Sequence, residues 1–235
     1  MTMRVGVILP TFSEDASAAL AAAAEAEESG LDGVFAYDHL WPMGKPGRPA
    51  LSAYPVLGAV AIRTRLVSIG TLVARVGLAP DAVLVRELLS LDSLSGGRAV
   101  VAVGTGDSKS AEENLAYGIA VSSARERRAQ LAVVVAALRS AGVTTWVGGG
   151  APATNAVARS YGAALNLWSA SPQRVAAAAV EGEVTWGGVL PGHPDRAVAL
   201  LAALASAGAS WAVVPWPGSC APLVAALSAV RAGGG

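Results

Sequence analysis

Three short stretches of this 235-residue chain carry groups that could do chemistry, and each directly follows a short apolar run. The first is Asp38-His39-Leu40-Trp41-Pro42, the second Gly104-Thr105-Gly106-Asp107 and the third Gly148-Gly149-Gly150. Imidazole ordinarily changes charge near neutral pH, so His39 could pass a proton while a hydride moves. Asp107 could serve as an acid or simply accept a hydrogen bond. Asp38 and Asp107 could equally cap the helices that follow them. Three glycines ahead of a helix resemble an anion cradle, because backbone N–H groups at a helix start attract phosphate. A tight strand-to-helix turn would use the same three glycines. Gly104-Thr105-Gly106 lacks the lysine and spacing of a P-loop and the third glycine of a dinucleotide fingerprint. Trp41 could stack on a bound ring system or pack beneath its own loop.

These stretches need elements to hold them. Short β-branched runs alternate with alanine-rich helical stretches, the pattern of a parallel sheet wrapped by helices. Strands are predicted at 5–9, 33–37, 66–73, 99–103, 144–147, 163–167, 183–186 and 211–214. Helices are predicted at 16–29, 52–63, 81–94, 125–140, 151–161, 171–181, 195–207 and 219–231. Eight strand–helix units fit a (β/α)8 TIM barrel, whose active site lies on the loops after the strands. A doubly wound open sheet would give the same local signals. Under the barrel reading, the strands ahead of His39 and Asp107 are both even-numbered and share side-chain layers. They stand roughly 10 Å apart around the wall. Their end groups could then face each other across a planar ligand.

Composition narrows the classes further. Hydrophobic residues make up 53% and charged residues 14%, enough for a large core in one domain over 1–235. The formal net charge is zero, and no basic stripe or polybasic cluster points to nucleic acid or a membrane surface. Residues 196–231 carry no formal charge between their ends. Gly208, Pro215, Pro217, Gly218 and Pro222 cut that stretch into pieces too short to span a bilayer. The apolar run at 5–9 is too short for a signal-peptide core. The single cysteine, Cys220, excludes an internal disulfide and suits a cytoplasmic setting, where it reads as a small apolar residue. No histidine and cysteine group has metal-site spacing. Lys45, Arg48 and Arg75 could meet an acidic ligand tail but read first as exposed loop charge, and Arg125, Arg127 and Arg128 read as a solvated helix start.

The segments Tyr37-Asp38-His39-Leu40-Trp41, Ile69-Gly70-Thr71-Leu72-Val73, Leu91-Asp92-Ser93-Leu94-Ser95-Gly96-Gly97-Arg98 and Val103-Gly104-Thr105-Gly106 occur in order. Together they resemble the luciferase-like monooxygenase superfamily, and within it the branch that uses the deazaflavin coenzyme F420. The resemblance covers roughly residues 3 to 168 well. It implies a hydride-transferring oxidoreductase acting on a small-molecule substrate, with Asp38 helping to hold the coenzyme and His39 at its reactive face. It places Asp107 where the sugar-phosphate dehydrogenase of the branch has an acidic proton donor. Leu72-Val73 falls at a bulge with a non-prolyl cis peptide behind the ring, and Gly148 and Gly149 match the backbone receiving the coenzyme phosphate. Gly104, Thr105, Gly106 and Gly150 complete the expected coenzyme wall, with Trp41 assigned to the substrate. A homodimer is implied, through the alanine-rich helices after strands two and three.

The chain departs from that pattern between its fourth helix and fifth strand, where Leu138-Arg139-Ser140-Ala141-Gly142 runs almost directly into Val143-Thr144-Thr145-Trp146. The missing excursion usually helps to enclose substrate, so a more open site is expected. No basic residues correspond to those that would hold a sugar phosphate, which argues against glucose 6-phosphate. FMN in place of F420 is the alternative coenzyme, and a non-catalytic barrel acting as a binding or partner protein is the alternative outside enzymes.

Overall fold

The computed structural model describes residues 3–106 and 110–233, with side chains to residue 230. The chain runs β1 (Arg4–Ile8), α1 (Ser17–Glu28), β2 (Gly33–Ala36), α2 (Ala53–Arg63), β3 (Ser68–Thr71), β4 (Ala74–Arg75) and α3 (Asp81–Ser95). It continues through β5 (Val100–Gly104), α4 (Ala111–Ala116), α5 (Ala124–Ser140), β6 (Thr144–Gly149), α6 (Pro152–Ser160), β7 (Ala164–Trp168) and α7 (Pro172–Ala179). β8 (Val184–Gly187), α8 (Pro194–Ser206), β9 (Ala209–Pro215) and α9 (Ala221–Gly233) follow.

All the strand pairings are parallel, in the order β3-β2-β1-β9-β8-β7-β6-β5-β4. The first strand thus sits between the second and the last, which rules out the doubly wound sheet. The ring closes where β3 meets the start of β5, through a parallel bridge from Ile69 to Ala99. The Ile69 N–H donates to the Arg98 carbonyl at 3.0 Å, and the Thr71 hydroxyl donates to the Ala102 carbonyl at 3.0 Å. Gly70 makes the approach possible, since a Cβ there would lie 1.6 Å from the Val100 carbonyl oxygen. The fold is a (β/α)8 barrel, as the alternation predicts. The third barrel strand, a single run at 66–73 in the strand list, is divided into β3 and β4 by a bulge at Leu72-Val73, where the resemblance implied one.

The strands are buried on both faces, which is why they read as apolar runs rather than as an alternating pattern. Inside the barrel, Ile8, Phe35, Val100, Ala102, Trp146, Ala164, Trp211 and Val213 form one cluster, and Leu72 caps it toward the mouth. A larger cluster fills the layer between sheet and helices. Buried alanines of α1 and α2 face it, and their small size lets those helices lie close to the strands. Helix boundaries follow local chemistry: α3 ends at Gly96 in the left-handed conformation, and α5 begins with a Ser123–Glu126 capping box. The short helix α4 lies between the fourth predicted strand and the fourth predicted helix, where the sequence reading places no element.

Candidate active site

At the carboxyl ends of the strands lies a cavity of about 540 Å³, within the usual range for small-molecule sites. His39, Leu72, Val73, Gly104, Thr105, Gly106, Gly148, Gly149 and Gly150 all line it, although they come from four different strand ends. The Leu72-Val73 peptide bond is cis, at the position the resemblance implied. Val73 settles between two glycines: a Cβ on Gly104 would lie 2.7 Å from one of its methyl groups, and one on Gly148 would lie 2.8 Å from the other. Two of the expected coenzyme-wall glycines therefore also seat the bulge.

His39 is held from behind by a residue that sequence reasoning missed. Its Nδ1 lies 2.9 Å from Oε1 of Glu113 on α4, a side chain only 2% exposed. A carboxylate can only accept here, so Nδ1 carries the proton and Nε2 is the nitrogen left for a ligand. The second oxygen of Glu113 accepts the backbone N–H groups of Leu40 and Trp41, at 2.9 and 3.3 Å. One carboxylate thereby fixes both the imidazole and the loop that carries it. The Arg75 guanidinium closes an ion pair with the same carboxylate.

Arg75 corrects an expectation. It is buried on β4 rather than exposed in a loop, because its charge is matched by Glu113 and its Nε–H donates to the Asp38 carbonyl at 2.7 Å. Among the described residues, its buried Nη2 has no hydrogen-bond partner, and the side chain lines the cavity. Arg127 and Arg128 are likewise part-buried, Arg127 donating to the Ser122 carbonyl, whereas Lys45, Arg48 and Arg125 are exposed as expected.

Asp38 lies beside the cavity and not in its lining. Its carboxyl accepts the Arg75 N–H at 3.0 Å and the Tyr54 hydroxyl at 3.3 Å, so it organises the junction of β4 and the His39 loop. Nor does it cap α2, whose N-cap position is Ser52. Burial pushes its pKa up, against the lowering effect of Arg75, Tyr54 and His39. Trp41 is also outside the lining: it is buried against Tyr117 with ring centroids 6.1 Å apart, the packing alternative rather than the ligand-stacking one. Asp107 lies outside the described residues. Further lining comes from Phe12, Tyr37, Met43, Asn166 and Trp168. Burial pushes the Tyr37 phenol up to about 12. No group of three or more metal-ligating side chains occurs among the described residues, and no helix among them is long and apolar enough to cross a membrane.

A coenzyme with a flat ring and an anionic tail fits these residues. The glycine wall leaves backbone open to close approach, the orphaned Arg75 Nη2 offers a donor, and α6 starts beside Gly148–Gly150 with Pro152 in its first turn. Arg174, from α7, reaches the same loop, its Nη2 lying 3.1 Å from the Gly150 carbonyl.

A family model described as luciferase-like monooxygenase matches residues 3–210. The F420-dependent glucose-6-phosphate dehydrogenase of Nakamurella multipartita is 39% identical over 114 residues, 46% of this chain and 32% of that protein. The enzyme of the same name from Kineococcus radiotolerans is 37% identical over 110 residues, with the same coverage. The matched segment thus spans about a third of the length of these curated relatives. Among solved structures, an F420-dependent secondary alcohol dehydrogenase in complex with an F420-acetone adduct superposes with a TM-score of 0.77 at 16% identity, covering 92% of this chain and 93% of that one. A riboflavin lyase with modified FMN and substrate riboflavin gives the same score at 14% identity, covering 100% and 92%. At such identities these two structures establish the shared fold alone.

Proposed function

This chain belongs to the luciferase-like monooxygenase family, and from that premise we propose that it is an F420-dependent oxidoreductase acting on a small organic substrate. The observation that carries the reading is the His39–Glu113–Arg75 assembly facing a glycine-lined cavity behind the Leu72-Val73 bulge. When bound, the deazaflavin supplies or accepts a hydride at C5; the protein contributes orientation and proton handling.

Each part of the site has a role in this reading. Leu72 and Val73 back the ring, with Gly104, Thr105 and Gly106 along its side. Gly148, Gly149 and Gly150, the start of α6 and Arg174 receive the phosphate. His39 Nε2 exchanges a proton with the substrate, and Asp107 is a second proton donor. Asp38 acts on the coenzyme indirectly, by fixing Arg75 and the His39 loop. The reading takes residues 1–235 as a single domain and the protein as a cytoplasmic homodimer joined through α2 and α3.

The test is a titration of the purified chain with F420 and, separately, with FMN, followed by coenzyme fluorescence. F420 binding that weakens in Arg174→Ala is expected. Binding of FMN with no response to F420 would sink the coenzyme assignment, and binding of neither would favour a non-catalytic barrel.

A further inference from the structure

We propose that the substrate half of the cavity takes an uncharged, flat, largely apolar molecule, seated on an aromatic wall formed by Phe12, Tyr37 and Trp168. The inference rests on the coenzyme reading above, because it takes the glycine-lined side of the cavity as the coenzyme side.

The wall is continuous. Phe12 and Tyr37 are stacked, with centroids 5.6 Å apart and planes within 8° of parallel. Tyr37 meets Trp168 edge to face at 6.2 Å. Phe12 and Tyr37 follow β1 and β2, whereas Trp168 ends β7, four places along the sheet from β2. The three rings therefore span the mouth from one side of the barrel to the other. Gly187 on β8 leaves room for this, since a Cβ there would lie 2.8 Å from Cε3 of Trp168. Phe12 remains 39% exposed and Trp168 46% exposed, although both are packed against Tyr37. Large aromatic surface left open in a concave site is surface that a ligand can remove from water.

The charges of the cavity point the same way. Among the described lining residues, Arg75 and His39 are the ones able to carry positive charge, and both face the Glu113 carboxylate. Arg75 lies against Gly106, on the coenzyme side, with its Cδ 3.6 Å from where a Cβ of Gly106 would stand. Arg174 lies outside the cavity lining, beside the Gly150 carbonyl on the coenzyme side. Among the described residues, an anionic substrate on the wall would give up hydration with no cation to receive it that is not already matched by Glu113. Tyr37 keeps its proton well past neutrality, so it adds a neutral hydroxyl rather than a phenolate.

Acetylnaphthalene and naphthoate are near-isosteric and differ in charge, so they test the proposal directly, with glucose 6-phosphate as a third probe. Binding to the full chain is followed by tryptophan fluorescence and equilibrium dialysis, with and without F420. Acetylnaphthalene is expected to bind at least about tenfold tighter than naphthoate, and to lose about tenfold in Trp168→Ala and in Phe12→Ala. Glucose 6-phosphate is expected to give no response, and Phe12→Lys to narrow the gap between ketone and carboxylate. Naphthoate or glucose 6-phosphate binding as tightly as the ketone would overturn the proposal. Unchanged ketone binding in the alanine variants that remain folded by circular dichroism would do the same. Phe12, being surface-accessible, decides if Trp168→Ala does not fold. F420 binding is read separately from its own absorbance, so its loss would refute the coenzyme reading while the ketone and carboxylate comparison on the chain alone still decides the wall.

Discussion

His39 Nδ1 lies 2.9 Å from Glu113 Oε1, across 74 positions of sequence, and this contact couples the imidazole proposed to exchange a proton to the buried Arg75. In Glu113→Gln one acceptor oxygen is left to serve both the imidazole and the Leu40 and Trp41 N–H groups, and Arg75 is left buried without its counter-charge. Turnover is expected to fall about 10²-fold or more, the scale of lost general acid–base assistance. Stability should drop by about 3 kcal/mol, the scale of a broken buried pair. A double-mutant comparison separates the two effects: if Glu113 acts through His39, adding Glu113→Gln to His39→Ala should leave turnover at the His39→Ala level. Additive losses in turnover would show that Glu113 does not act through the imidazole.

Much of this arrangement was legible in the chain itself, and the part that was not has a physical cause. Apolar strands and capped helices report on burial and backbone geometry, so the eight strand–helix units could be read locally. The cavity glycines could be placed because they follow strands, and strand ends define a barrel mouth. Glu113 was hidden because nothing local distinguishes it from its exposed neighbour Glu112; its burial arises only when α4 docks behind His39. Arg75 was misjudged for the same reason, since its partner is 38 residues away. The break in the third strand was expected only from the resemblance, because Leu72-Val73 alone reads as ordinary strand.

Val73 lies between Gly104 and Gly148, so the bulge and the two loops should respond as one unit. Gly104→Ala places a methyl group where Val73 already stands and is expected to cost about 1–3 kcal/mol, as overpacking does. It should also weaken coenzyme binding, by displacing the Val73 side chain toward the cavity. Combining it with Val73→Ala should recover most of the stability. Thermal melts of the two single variants and the double check this, and a double variant no more stable than Gly104→Ala would show that the clash is not with Val73.

Asp38 gives a pH signature. Burial raises its folded-state pKa above the ordinary aspartate value. A group raised in this way stabilises the fold fully below its unfolded pKa, and that contribution is lost as pH rises through the folded value. Asp38→Asn keeps an acceptor for the Arg75 N–H but has no charge to bury. The variant should therefore gain on wild type as pH is raised from about 4 to neutrality. Urea unfolding of both proteins at the two ends of that range measures the difference. Wild type gaining on the variant with rising pH would mean that Arg75 and the hydrogen bonds outweigh burial.

Arg98, part of the Ser-Gly-Gly-Arg segment, turns out to be a tie between elements rather than a ligand contact. Its guanidinium donates to the carbonyls of Ala61, Thr64, Val67 and Ser95 and to the Thr64 hydroxyl, at 2.7 to 3.1 Å. These acceptors close the end of α2, the approach to β3 and the end of α3. Arg98 itself leads into the Ala99 bridge that closes the barrel. Lysine presents its donors from a single point and cannot reach acceptors spread around a planar fork. Arg98→Lys should leave several carbonyls unpaired and cost about 1–3 kcal/mol. Because the residue lies outside the cavity lining, coenzyme affinity at a temperature where the variant is folded should match wild type. Denaturant melts paired with F420 titration distinguish the outcomes. A stable variant with impaired coenzyme binding would move Arg98 from the scaffold to the site.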